Sequence, residues 1–335
     1  MRAKGAGDRA YSSGRYDEAA SAYEDASRRA SRAGDRSEAL YLQASAYRRA
    51  RSWDRARASY QRLIAQSPTS DRGRRASFDL ADLDIEVGNT ESGYQALRDA
   101  LFRFPNDGLA RRAFERYVAH LDASGGALTW LRGALPRLAS TELDETARYA
   151  LAGHLATSGA IQEARDAYLA CAERHPYPRG SLFDDALWQA SLLDEKLGRP
   201  EQAIVHLRRM LAVRESSSFL GSYERPRFSP AQFRIAVLYR DALRDHAAAR
   251  REFHQLYASH RTSILRDDAL WEEAKLARAD GDASGACSLV ATLIEDFPDS
   301  RYAPCARALC ASAPATPAGE CHGYLLRERR DSGSD

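Results

Sequence analysis

The sequence predicts an all-α fold, a right-handed superhelical solenoid of about eight helical hairpins. Three observations predict it. One frame of glycine, aromatic, alanine, apolar and proline residues recurs along almost the whole chain. Within each copy the apolar residues are spaced by three and four, the period of a single helix face. No useful length of sequence alternates with period two, so strands have no signal.

The copies follow in order, mostly 35–39 residues apart. The first reads Gly14, Tyr16, Ala19, Tyr23, Ala26, and the second Trp53, Ala56, Tyr60, Leu63, Pro68. The third is Gly88, Leu97, Ala100, Pro105, and a degenerate fourth spans 108–139. The fifth is the fullest: Gly159, Ile161, Ala164, Tyr168, Cys171, Pro176. Gly198, Ala203, Leu207, Met210 form the sixth, and His246, Ala249, Phe253, Leu256 a looser seventh. Gly281, Ala286, Val290, Leu293, Pro298 complete the set. Each element has a cause. The glycine stops the first helix of a hairpin, because a left-handed residue there costs no Cβ clash. The alanine lets the second helix approach the first, and the apolar residues after it form the face that packs. Proline blocks further helix and opens the next hairpin. No hairpin can bury its apolar face alone, so neighbours must stack.

These residues resemble the tetratricopeptide repeat family from residue 1 to about 312. Phe297-Pro298-Asp299-Ser300-Arg301-Tyr302-Ala303 is similar to the inter-repeat turn of bacterial envelope members, the TolA-binding and outer-membrane-assembly lipoproteins. Asp184-Asp185-Ala186-Leu187-Trp188 and Asp267-Asp268-Ala269-Leu270-Trp271 are near copies of one another. The resemblance implies a non-catalytic scaffold that binds a partner protein or peptide on its concave face. Residues 313–335, rich in Pro, Ala, Gly and charge, are expected to form a flexible tail after a capping helix that ends near 312, with Tyr324-Leu325-Leu326 able to dock transiently.

Composition narrows the class further. The chain is 44% apolar and 29% charged, a soluble balance, and no apolar run reaches the roughly 18 residues of a membrane span. The start, Met1-Arg-Ala-Lys-Gly, has no apolar signal core. A cytoplasmic protein is therefore expected from Met1, and a periplasmic or envelope one if an export signal precedes it. Lysine occurs only at Lys4, Lys196 and Lys275, so the basic character is arginine. Residues 1–80 carry 17 Lys+Arg against 10 Asp+Glu, a net of +7, and the remainder 32 against 37, a net of −5. An anionic partner such as a nucleic acid at the basic amino end is the alternative reading. Solvated arginine faces account for the same asymmetry.

Sites of chemistry are not evident. Gly5-Ala-Gly7-Asp-Arg-Ala10 spells a dinucleotide fingerprint, but no strand precedes it. There is no phosphate-binding GxxxxGK[ST], no GxSxG and no HExxH. No enzyme activity, metal or cofactor is expected. His120, His154 and His175 read as surface or packing residues. Cys171 takes a small core position of its repeat. Cys287, Cys305, Cys310 and Cys321 match no zinc spacing. Cys305 and Cys310, five apart on a helix, point about 140° from one another. In an exported protein the expected bridges are Cys287–Cys305 and Cys310–Cys321; in the cytoplasm all four stay reduced.

The partner surface is placed by the repeat. Counted back ten residues from the glycine place of the frame (Arg51 in the second copy, Gly88, Gly159, Gly198 and Gly281 in the others) stand Tyr41, Phe78, Tyr149, Trp188 and Trp271, the family's inward-facing fifth position. They form a candidate aromatic ladder for a peptide, or they pack between neighbouring first helices. Arg48 and Arg49 lie two turns after Tyr41, suited to an anionic contact. Ser45 and Asp82 stand where the family's carboxylate clamp has asparagine, so that clamp is not carried over. Between the sixth and seventh copies about a dozen residues are inserted, with Phe219, Tyr223 and Phe228 as further contact candidates.

Overall fold

The computed structural model describes residues 2–213, 225–314 and 319–327. Among them there is no β-strand, and the chain divides into two compact units, 1–150 and 151–335.

The first unit contains α1 (Arg2–Ser12), α2 (Tyr16–Arg29), α3 (Ala33–Arg49), α4 (Trp53–Gln66), α5 (Asp71–Glu86), α6 (Thr90–Arg103), α7 (Ala110–Asp122) and α8 (Ala127–Leu138). The division falls inside α9 (Asp144–Thr157). The second unit continues with α10 (Ile161–Arg174), α11 (Phe183–Lys196), α12 (Pro200–Leu211), α13 (Phe228–Asp241), α14 (His246–Ser259), α15 (Arg266–Ala279), α16 (Ala283–Asp296) and the short α17 (Ala306–Leu309). In each unit helices adjacent in sequence pack on one another, and in the first unit α3 also touches α5. Odd-numbered helices up to α15 are therefore the first arms of hairpins, and even-numbered ones the second.

Every hairpin reverses in the same way. Gly14, Gly88, Gly125, Gly159, Gly198 and Gly281 all have positive φ. In each case the following amide reaches back five residues, as Arg15 does to the Ala10 carbonyl at 2.9 Å and Asp282 to that of Ala277 at 2.9 Å. That bond satisfies a carbonyl left over at the helix end. Two hairpins lack the glycine, and there Arg51 (φ 58) and Arg244 (φ 55) adopt the left-handed conformation instead. Five residues after the reversal, in every hairpin but the degenerate fourth, where Trp130 stands, the second helix carries a small residue. Ala19, Ala56, Ala164, Ala203, Ala249 and Ala286 fill that place and are all fully enclosed. In α6 the place belongs to Gly93, where an added Cβ would stand 2.6 Å from Ile85 Cγ1 and 2.8 Å from the Ile85 nitrogen. The degenerate fourth copy has Pro136 in the last turn of α8, which removes one backbone donor.

The carboxyl end corrects one expectation. The bridges are Cys287–Cys310 and Cys305–Cys321, not Cys287–Cys305 and Cys310–Cys321. The reason is the path of the chain. Helix α17 is a single turn preceded by a 3-10 turn at Ala303–Cys305, which sets Cys310 beside the second turn of α16, where Cys287 lies. Cys305 faces the other way and meets Cys321 as the chain returns. Cys171 is buried in the core outside both bridges. The described part of the terminal segment, 319–327, is held against α15 through Leu325.

Candidate functional site

In the first unit the first arms leave a groove of about 490 Å³ open. Its wall is built from α1, α3 and α5, with Tyr60 of α4 behind them. Tyr41 on α3 is buried, and its hydroxyl donates to Asp79 Oδ2 on α5 at 2.6 Å. About two turns further along α3, Arg48 donates from Nε to Glu86 Oε2 at 2.9 Å. Both pairs are separated by 38 residues, one repeat period, so the same step of the frame is used twice. The Arg72 guanidinium lies 4.6 Å from the Tyr41 ring centre and that of Arg75 5.6 Å. Arg49 is exposed and pairs with no carboxylate among the described residues. The groove thus offers an aromatic floor, a saturated layer of ion pairs and one available cation.

Burial raises the Asp79 carboxyl above its usual range, against the opposing pull of Tyr41, Arg75 and Arg48. Burial, then the Asp79 hydrogen bond, likewise pushes the Tyr41 phenol far up, and burial raises Tyr60. These hydroxyls stay protonated at neutral pH and act as donors, not nucleophiles.

The other sequence-derived candidates lie in different surroundings. Phe78 and Phe228 are buried, and Trp271 has no exposed surface. Tyr149 and Trp188 are half-buried. The Arg227 and Arg234 guanidinium groups stand 5.5 and 6.0 Å from the Trp188 ring, with Arg225 paired to Asp184 and Arg227 to Asp185. Phe219 and Tyr223 lie outside the described residues. The two near-copied acid pairs have the same task in the second unit. Where Asp184 and Asp185 receive arginines from the following hairpin, Asp267 accepts from Ser300 and Asp268 from Arg301 and Tyr302.

Tyr11, Arg75, Asp79 and Glu86 complete the groove and were not singled out from the sequence, and Tyr60 was read there only as a frame residue of the second copy. A signal was present, since Asp79 and Glu86 stand one period after Tyr41 and Arg48. Among the described residues no group of three or more His, Cys, Asp or Glu is arranged to hold a metal ion, and no helix is long and apolar enough to cross a membrane.

Residues 5–71, spanning α1 to the start of α5, match the family model described as Tetratricopeptide repeat. No curated protein matches the chain. Among solved structures it is similar to pilF of Pseudomonas aeruginosa, at 16% identity over 80% of this chain and 96% of that one, with a TM-score of 0.32. The C-terminal part of a TPR repeat-containing protein from Cytophaga hutchinsonii aligns at 13% identity, 78% and 97% coverage and a TM-score of 0.45. PilW, a type IV pilus biogenesis factor, aligns at 19% identity, 79% and 94% coverage and a TM-score of 0.32.

Proposed function

We propose, from a chain that carries tetratricopeptide repeats, that its work is to hold a partner protein through the first-arm groove of the first unit. Such repeats mediate protein–protein contact in general. The observation that carries the reading is the layered wall itself. Tyr41–Asp79 and Arg48–Glu86 lock α3 against α5 at two heights, which leaves a rigid, preorganised surface with Tyr11 and Tyr60 beside it and Arg49 at its rim. The fitting partner is a peptide segment with an apolar or aromatic side chain for the floor and a carboxylate opposite Arg49. The two carboxyl-end disulfides support an oxidising compartment, hence the periplasm or cell envelope.

The test is a photo-crosslinking residue placed at Arg49, with another at Ile264, an exposed loop position, as control. In the native host the Arg49 site is expected to capture one protein species that the Ile264 site does not. Capture of nothing, or equal capture at both positions, would overturn the reading.

A further inference from the structure

The last hairpin of the second unit has its first-arm wall covered by the chain's own terminal segment. Leu325 is 6% exposed and packs beside Trp271 and Tyr302, whose rings stack at 5.1 Å. The Leu325 carbonyl accepts from Trp271 Nε1 at 2.8 Å, and the Arg327 carbonyl from Lys275 Nζ at 2.6 Å. The two donors are four residues apart on α15, one turn along the same face. Lys275 is held in place from behind by Glu272 at 2.8 Å, and Glu272 by the buried Arg240 at 2.6 Å. Trp271 and Lys275 stand ten and six residues before the reversal at Gly281, as Tyr41 and Ser45 stand before that at Arg51. The segment therefore lies on the surface of α15 that corresponds, within the repeat, to the open wall of α3.

The geometry points to residues 319–327, whose Gly323–Leu326 form a 3-10 turn, as a tethered stand-in ligand, held by the Cys305–Cys321 disulfide over a site for a short, turn-forming peptide of a partner protein. One buried leucine and two main-chain carbonyls make the described contacts with α15, while Tyr324 (61% exposed) and Leu326 (41%) face solvent. Main-chain carbonyls at the turn thus supply the grip and one side chain the selectivity. The disulfide closes a loop of 16 residues and keeps the segment at high effective concentration. A dithiol reductant opens it. Its thiolate attacks the half-buried Cys321 sulfur, the S–S bond breaks and Cys305 leaves as a thiolate that takes up a proton. The second thiol of the reductant then resolves the mixed disulfide, leaving Cys321 as a thiol and the reductant as its own disulfide. The Trp271 indole, the Leu325 pocket and Lys275 become available to a leucine-bearing segment of another protein. This goes beyond the groove of the first unit and does not depend on it.

Hydrogen exchange read by mass spectrometry, with peptide binding alongside, tests the device on the full chain. The probe is a labelled synthetic peptide with the sequence of residues 319–327 and serine in place of its cysteine. In Cys321→Ser, or in the wild type after dithiothreitol, exchange over 319–327 is expected to rise about tenfold or more while α15 stays protected. The peptide is expected to bind these forms and not the oxidised wild type. Leu325→Asp, which keeps the disulfide but cannot seat the side chain, is expected to admit the peptide too; Cys287→Ser/Cys310→Ser, with the segment still tethered, is not. Unchanged protection of 319–327 in Cys321→Ser would overturn the proposal. So would loss of protection in α15 together with the segment, which would make it part of the hairpin core, or failure of the peptide to bind any released form.

Discussion

Single residues carry the hairpin reversals, and they do so at measurable cost where glycine is missing. Arg51 is exposed and sits at φ 58 with no compensating carboxylate among the described residues. A left-handed residue with a Cβ is disfavoured by roughly 1–2 kcal/mol, part of which glycine returns through its greater freedom in the unfolded chain. Arg51→Gly is therefore expected to raise unfolding stability by about 0.5–1 kcal/mol in urea titration, and no gain would mean that the reversal is not strained there. Trp271 shows the opposite dependence on a single group. Its ring is enclosed while its Nε1 finds the Leu325 carbonyl, so Trp271→Phe keeps most of the packing and orphans that carbonyl. The expected loss is about 1–3 kcal/mol, smaller than the ~3–5 kcal/mol expected of Trp271→Ala, which also leaves a cavity.

Between helices, close approach and charge decide the packing. Alanine is the better helix former, so Gly93→Ala on an isolated α6 would stabilise it by about 1 kcal/mol. In the hairpin the new methyl group meets both the side chain and the backbone of Ile85, and the backbone cannot step aside. A net loss of about 1–3 kcal/mol is expected from thermal melting. Charge works similarly at the junction of α10, α11 and α12, where Arg165 Nε donates to the fully enclosed Asp194 at 3.0 Å and His206 Nε2 stands 3.1 Å from the same carboxylate. Burial, with Arg165 and Arg209 adding to it, lowers the His206 pKa against the pull of Asp194. The native state then binds fewer protons than the unfolded state between the lowered value and the ordinary 6.5. Stability from this group therefore falls as the pH is lowered through that window, is full above 6.5, and levels off below the lowered value. His206→Asn is expected to flatten that part of the stability–pH curve, and an unchanged curve would remove His206 as its origin.

At the scale of the whole molecule the arginine excess of the amino end reads differently once partners are seen. Arg28, Arg48, Arg57, Arg72 and Arg74 are all engaged with carboxylates, the last four in pairs that join neighbouring hairpins. Part of the basic excess over residues 1–80 is thus laid down as internal ties, while Arg9, Arg29, Arg32, Arg36, Arg49, Arg51, Arg55 and Arg62 pair with no carboxylate among the described residues. Binding to DNA is expected to be weak and lost by about 0.15 M salt if these remaining arginines are solvated helix faces, not a phosphate-tracking surface. Retention with a steep salt slope would instead favour an anionic polymer as partner.

Hairpin number, reversal points and core positions were legible in the sequence because each depends on residues a few places apart. Glycine needs only its own φ, and the alanine of the second helix needs only the preceding helix. In a stacked fold these local requirements repeat, so periodicity exposes them. The groove was half legible: Tyr41, Arg48 and Arg49 were visible, whereas Asp79 and Glu86 emerged only when the period was laid over itself in space. The disulfide pairing and the covered wall of α15 were decided by tertiary structure alone. Both arise where the chain leaves the repeat and turns back, joining Cys305 to Cys321 and Trp271 to Leu325, 54 residues away. No period relates such positions, and only the path of the folded chain brings them together.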